Sequence, residues 1–168
     1  MYNKAIDIVL KHEGGYVNDS KDAGGETNFG ISKRAYPYLD IARLSMFTAA
    51  EIYRRDYWEK CRCDDLPEGL DLCVVDFAVN AGVSRASKVL QEVVGATPDG
   101  IIGSETLKLV GEHTEKLVGE HTDVLSMITH YYRLRQAHYE SLDSFQDFGL
   151  GWTRRNNETL KEAILWIC

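Results

Sequence analysis

Apolar residues recur at helical spacing over most of this chain. Ile6, Val9 and Leu10 stand at i, i+3 and i+4, and Glu13 follows at i+7. That spacing predicts a helix over 2–13 whose last carboxylate lies on the apolar stripe rather than the solvent face. Gly14-Gly15 ends it, as glycine does just past a helix C-terminus. Residues 14–32 are rich in Gly, Asp and Asn, which suit turns and a short hairpin; Tyr16-Val17 and Phe29-Gly30-Ile31 are its strand-like pieces. Beyond Pro37, Thr48-Ala49-Ala50-Glu51 has the form of a capping box and predicts a helix running to about Lys60. Pro67 precedes a second strong helix over 68–81, with Leu70, Cys73, Val74, Phe77 and Ala81 as its main buried stripe. Ser84 is placed to cap a short helix over 85–94 closed by Gly95, and Ser104 to cap the next. A long helix over 123–142 sets Leu125, Ile128, Tyr132 and Tyr139 on or near one face. A loop holding Phe145, Phe148 and Gly149 then leads to a last helix from about Trp152 to Ile167. The whole pattern predicts a mainly α fold with one small hairpin lobe near 16–32.

One stretch breaks the helical periodicity. Lys-Leu-Val-Gly-Glu-His-Thr occurs twice between 108 and 122, with a period of eight residues. Eight residues at about 100° each leave the copies about 80° out of register, so they cannot share one helix face. Two copies are too few for a solenoid. The stretch reads as a tandem insertion in or beside a helix end, and His113 and His121 read as repeat copies rather than a metal pair.

Composition narrows the function. Hydrophobic residues make up 44% and charged residues 27% of 168, an ordinary globular balance that supports a real core. No apolar run approaches the ~20 residues needed to span a bilayer. The N-terminus carries Asp7 where a signal peptide would have an uninterrupted apolar segment, so the expectation is a product made in the cytoplasm that acts outside only once released. The net charge of −7 argues against a nucleic-acid partner, which would want a basic face. It also provides no steering towards an anionic polymer. Cys61, Cys63, Cys73 and Cys168 lack a second pair at zinc-site spacing and read as free, partly buried thiols.

The candidate chemistry centres on Glu13. Partial desolvation and the negative end of the helix both disfavour the charged carboxylate and favour the neutral form that a general acid requires. The alternative for the same position is a glutamate at the core edge, satisfied by backbone or an arginine. Asp76 and Asn80 are neighbours at i, i+4 on one side of their helix, placed either to touch a substrate, to brace the loop after Glu13, or simply to bond each other. Tyr53, Tyr57 and Trp58 stand at helical spacing as either a core stripe, the commoner role, or a surface for stacking sugars. No GxGxxG, phosphate loop, GxSxG or HExxH is present.

Three blocks carry a resemblance. Glu13-Gly-Gly-Tyr16, then Asn18-Asp19…Asp22…Gly24-Gly25-Glu26-Thr27-Asn28-Phe29-Gly30-Ile31, and Asp76-Phe-Ala-Val-Asn80-Ala-Gly82 resemble glycoside hydrolase family 108, the N-acetylmuramidase endolysins of phages and prophages. Leu90-Gln91…Gly95…Asp99-Gly100…Gly103…Thr106-Leu107 is similar to the peptidoglycan-binding repeat that accompanies the family. His130-Tyr-Tyr-Arg133…Phe148-Gly149…Gly151-Trp152…Arg155 is similar to its C-terminal part. The resemblance implies a lysozyme-like α-helical fold, with a catalytic region over 1–84 and a helical peptidoglycan-binding-like region over 85–168 packed on it. It implies that Glu13 is the catalytic acid and that no metal or organic cofactor is needed. A looser likeness to phage-type lysozymes assigns the assisting carboxylate to Asp22, with Asp19 as its competitor, and a water-holding role to Thr27. The Asp22–Thr27 spacing is one residue shorter than in those lysozymes. Substrate contacts are expected at Tyr16, Asn28, Asp76 and Asn80. The expected reaction is cleavage of the β-1,4 bond between N-acetylmuramic acid and N-acetylglucosamine in peptidoglycan. The competing expectation is a wall-binding or secretion-accessory protein that pellets with peptidoglycan and releases no reducing ends.

Overall fold

The computed structural model describes residues 1–18, 25–115 and 122–167. The described residues form seven α-helices and one two-stranded antiparallel sheet. Helix α1, Tyr2–Glu13, buries Tyr2, Ala5, Ile6, Val9 and Leu10, the stripe that ends at Glu13. Strands β1, Thr27–Asn28, and β2, Ile31–Ser32, pair Thr27 with Ser32 and Asn28 with Ile31. Val17 bridges to Thr27 outside them, with both backbone bonds at 2.8 Å, so the two ends of the 18–26 segment are drawn together.

Helix α2, Met46–Tyr53, starts before the expected capping box. Ser45 is the N-cap, and its hydroxyl accepts from the Thr48 amide at 3.0 Å. The helix runs on as a π turn, Arg54–Trp58, in which the Glu59 amide reaches back five residues to the Arg54 carbonyl. Tyr53 and Trp58 are buried there, which favours the core role for that stripe, while Tyr57 stacks on Tyr53 at 5.4 Å and stays partly exposed.

Helix α3, Leu70–Ala81, is the axis of the molecule. Every residue from Leu70 to Phe77 and on to Ala78 is buried, so its apolar surface is wider than a single stripe. It packs on α1, on α4 (Val83–Val94), on α6 (Thr122–Glu140) and on α7 (Phe145–Ile167). Helix α5, Ser104–Glu115, covers α4 and α6 and carries the first copy of the repeat; the second copy lies outside the described residues from 116 to 121, His121 included. Ser84 and Ser104 are not caps as expected: α4 begins at Val83 after Gly82, and Ser104 is the first residue of α5.

Two helices in the second half differ from expectation in ways that bear on the site. The buried row of α6 is Met127, Ile128, Tyr131, Arg135 and Tyr139, while Leu125 is exposed. Helix α7 starts at Phe145, seven residues before the expected Trp152. Gly149 permits this, because the Phe145 ring lies over it: a β-carbon there would come within 2.7 Å of the ring. Cys61, Cys63 and Cys73 are free and buried. None of the described helices is long and apolar enough to cross a membrane.

Candidate active site

Glu13 sits where three separate stretches meet. As the last residue of α1 it projects from the apolar stripe into the junction of the hairpin turn, α3 and α7, with 19% of its side chain exposed. Its Oε1 accepts from Arg155 Nη1 of α7 at 2.7 Å. On the other side the Phe29-Gly30 turn closes over it. A β-carbon on Gly30 would stand 2.5 Å from Glu13 Oε2 and 2.7 Å from the Tyr53 hydroxyl. Only a residue without a side chain admits this approach.

That turn is strained. Phe29 has φ +51° and Gly30 φ +73°, the pair of left-handed conformations that a two-residue hairpin turn needs. Glycine adopts this freely, whereas a bulky aromatic does not. The Tyr53 hydroxyl donates to the Phe29 carbonyl at 2.7 Å and holds the turn in place. Burial, and then the negative charge of Glu13, push the Tyr53 phenol far above its ordinary range, so it remains a donor. A groove of about 430 Å³ lined by Leu10, Lys11, Gly14, Gly15, Phe29 and Met46 runs beside this corner.

Behind Arg155 stands a buried network of charges. Asp76, fully buried on α3, receives Arg155 Nη2 at 2.8 Å and Nε at 3.0 Å on Oδ1. Its Oδ2 receives Arg135 Nη2 at 2.7 Å and the Thr159 hydroxyl at 3.1 Å. Arg135, 1% exposed, lies over the rings of Phe77 and Tyr139, and its Nε donates to the Tyr139 hydroxyl at 2.9 Å. Tyr139 in turn donates to Asn80 Oδ1 at 2.7 Å. Burial alone would raise the Asp76 carboxyl, but the two guanidiniums and their hydrogen bonds outweigh it and hold it well below the usual carboxylate range. Burial would likewise lower Arg155, and the charges of Asp76 and Glu13 reverse that and raise it. Two carboxylates thus balance two guanidiniums, which is the condition for keeping such a cluster out of water.

The expected site residues fall into distinct places. Asp76 lies directly behind Arg155, while Asn80, one turn further on, is exposed. Both Asp76 and Asn28 are buried, so neither presents its side chain to solvent; the Asn28 amide instead donates to the Ile41 carbonyl at 3.1 Å and ties the hairpin to the following loop. Tyr16 is 47% exposed and its hydroxyl meets Glu26 Oε2 at 3.1 Å. Thr27 stands on β1 at the Val17 bridge. Asp19 and Asp22 lie outside the described residues.

Arg135 and Thr159 were absent from the sequence reading of the site, Tyr53 entered it only as one ring of an aromatic stripe, and Arg155 only as a motif letter. A signal existed for the arginines: Arg135 stands between Tyr131 and Tyr139 at i+4 intervals on a buried row, and Arg155 and Thr159 repeat that interval on α7. A charge in such a register needs a buried partner.

Comparison with known proteins bears on the family and the fold. Residues 6–82, which include Glu13, the hairpin and all of α3, match the model of the family described as glycosyl hydrolase 108. A solved structure, that of SagA from Brucella abortus, is similar over 99% of this chain and 95% of its own length, with a TM-score of 0.83 and 36% sequence identity. No curated protein matches the chain. The mainly helical, lysozyme-like fold with one small antiparallel sheet is therefore shared with a structure of related sequence.

Proposed function

Because the chain belongs to the glycosyl hydrolase 108 family, we propose that it is a muramidase that hydrolyses the glycan strands of peptidoglycan, with Glu13 as the acid. The bond assigned is the β-1,4 link between N-acetylmuramic acid and N-acetylglucosamine. The observation that carries this reading is the double hold on one partly exposed carboxyl group: Arg155 on Oε1, and the strained Gly30 turn against Oε2. An arginine partner alone is also what a structural glutamate would have. A strained turn packed so closely over the opposite oxygen that only glycine fits is a second constraint, one that a structural glutamate does not need.

In this mechanism Glu13 enters the reaction with a proton on Oε2 and with Oε1 on Arg155, and the ion-paired carboxylate described above is the form left once that proton has gone. The proton passes to the leaving glycosidic oxygen as the bond from the anomeric carbon breaks. Water adds its oxygen to that carbon and gives up a proton to a carboxylate. Negative charge appears on Glu13 as its proton departs, and the guanidinium 2.7 Å away is already placed to meet it. The assisting carboxylate is assigned to Asp22 or Asp19, in a segment whose ends are clamped at the Val17–Thr27 bridge. Carboxyl groups about 6.5–9.5 Å apart would give inversion and about 5 Å retention. Residues 85–168 are assigned to wall binding as well as to supplying Arg135 and Arg155. The protein is assigned to act on the wall after release from the cytoplasm.

Glu13→Gln keeps the shape of the side chain and removes the acid. General acid catalysis is worth about 10²–10⁴ in rate, so release of reducing ends from purified peptidoglycan should nearly vanish in a folded variant. Mass spectrometry of the products from the unaltered protein identifies which sugar carries the new end. Clearing of a wall suspension by Glu13→Gln at the unaltered rate would overturn the assignment.

A further inference from the structure

The face of α7 that delivers Arg155 to Glu13 does not end there. Trp152 and Phe148 precede Arg155 at three and seven residues, so all three share one side of the helix. At 1.5 Å per residue, Phe148 stands ~10 Å along the axis from Arg155, about the span of a β-1,4-linked disaccharide. The rings form a continuous row leading outward. Tyr139 and Trp152 stack at 5.3 Å with 24° between their planes, and Trp152 and Phe148 follow at 5.8 Å and 33°. Tyr139 is buried, Trp152 half-buried, and Phe148 is 59% exposed.

A polar group stands beside the row. Asn80 accepts the Tyr139 hydroxyl proton through Oδ1, is itself exposed, and among the described residues nothing accepts from its amide nitrogen. Core packing accounts for Tyr139 and for the inner face of Trp152. It does not account for the ring held in water at Phe148, at the outer end of a row that begins at the Asn80-bonded Tyr139 and on the helix side that carries Arg155 to Glu13.

We propose that Phe148 and Trp152, with the Asn80 amide, form a saccharide subsite on α7 that holds the glycan strand about two sugars from the bond cut at Glu13. A pyranose ring is flat and lined with C–H groups on its faces, which suits an aromatic surface. The hydroxyl and acetamido groups at its edge suit an amide donor. The inference rests on the glycan-hydrolase reading of Glu13 and adds the place where the strand is gripped.

The protein carries its own reporter. Of its three tryptophans, Trp58 and Trp166 are 1% and 9% exposed, so a fluorescence change on adding saccharide reports Trp152. Glu13→Gln protein, which cannot turn over the ligand, is titrated with soluble N-acetylglucosamine hexamer. A saturable change is expected, and it disappears when Trp152→Phe is added. Phe148→Ala, a change at an exposed position, should weaken hexamer binding roughly 3- to 10-fold with little effect on thermal unfolding. In the otherwise unaltered chain it should raise KM for uncross-linked glycan strands more than it lowers kcat. Absence of saturable binding, binding that leaves the Trp152 signal unmoved, or equal affinity in Phe148→Ala overturns the subsite. If reducing ends are still released in those cases, the assignment of Glu13 survives; if the unaltered protein releases none, the function itself fails.

Discussion

Asp76→Asn tests whether the buried charge network supports both the fold and the acid. The asparagine has the same shape but offers one acceptor oxygen where the carboxylate offers two. Its amide hydrogens would face N–H donors of Arg135 or Arg155, now 2.7 and 2.8 Å from carboxylate oxygens. Arg135 has no recourse to water, being 1% exposed and covered by Phe77 and Tyr139. Removing one partner of a buried pair costs about 3–5 kcal/mol, a large share of the ~5–15 kcal/mol that holds a typical domain together. At this chain length each kcal/mol moves Tm by about 2–4 °C, so a fall of roughly 6–20 °C is expected. The pH dependence supplies an independent check. The folded Asp76 carboxyl lies below its ordinary 3.8, so its contribution is present above that value and lost as pH falls through it towards the folded value. The gap in Tm between the two proteins, followed by far-UV circular dichroism, should therefore narrow in acid. Activity should fall even where the variant is folded, because Arg155 loses the anchor that aims it at Glu13. A Tm within about 3 °C of the unaltered protein at neutral pH, or a gap unchanged in acid, would refute this account.

Two further outcomes are expected. Gly30→Ala drives a β-carbon against Glu13 Oε2 and the Tyr53 hydroxyl at a backbone angle of +73°, so activity should collapse and urea unfolding should show a loss of about 1–3 kcal/mol; unchanged turnover would mean that the turn does not position Glu13. Asp71→Asn should stabilise the protein at alkaline pH. Burial raises the Asp71 carboxyl to about 6 against the Gly69 and Leu72 amides that its Oδ1 accepts from, and the asparagine oxygen can accept both. A folded value above the ordinary 3.8 means that the aspartate's contribution is whole below 3.8 and lost as pH rises through 6. The gain is therefore bounded at ~3 kcal/mol above pH 6 and should vanish near pH 4 in paired urea titrations; a gain independent of pH would count against it.

What was legible in the sequence was what is local. Helix α1 and the position of Glu13 on its stripe follow from a seven-residue period, and a hairpin within 16–32 follows from the glycine-rich composition, although Phe29-Gly30, expected in a strand, is the turn itself. The start of α2 shifted because Ser45 and Thr48 are both hydroxyl residues three apart, and only the geometry shows which one caps. The start of α7 was hidden because Gly149 and Gly151 read as breakers. Their tolerance depends on the Phe145 ring lying over Gly149, a packing fact that composition does not carry. The charge network was hidden for a different reason. Asp76 meets Arg135 and Arg155 from 59 and 79 residues away, so no window of sequence contains the pair.

The costs in this structure converge on one carboxyl group. Phe29 adopts a left-handed backbone that aromatic residues avoid, and four charges are drawn out of water at the junction of α1, α3, α6 and α7. The ion pairs add nothing to the hydrophobic core, and Phe29 joins that core only at its edge. If stability alone had shaped this corner, Asn-Gly would replace Phe29-Gly30 and well-packed apolar residues would replace the ion pairs at little or no loss. What the arrangement does provide is position. Arg155 is held from behind by Asp76, so it cannot swing away from Glu13 without breaking two buried contacts. The turn is held from above by Tyr53, so it cannot lift from the opposite oxygen without releasing that hydroxyl. A carboxyl group constrained on both oxygens, yet still open to solvent along one edge, is organised for transferring a proton to something that arrives there, and α7 offers the aromatic row along which a glycan strand would arrive.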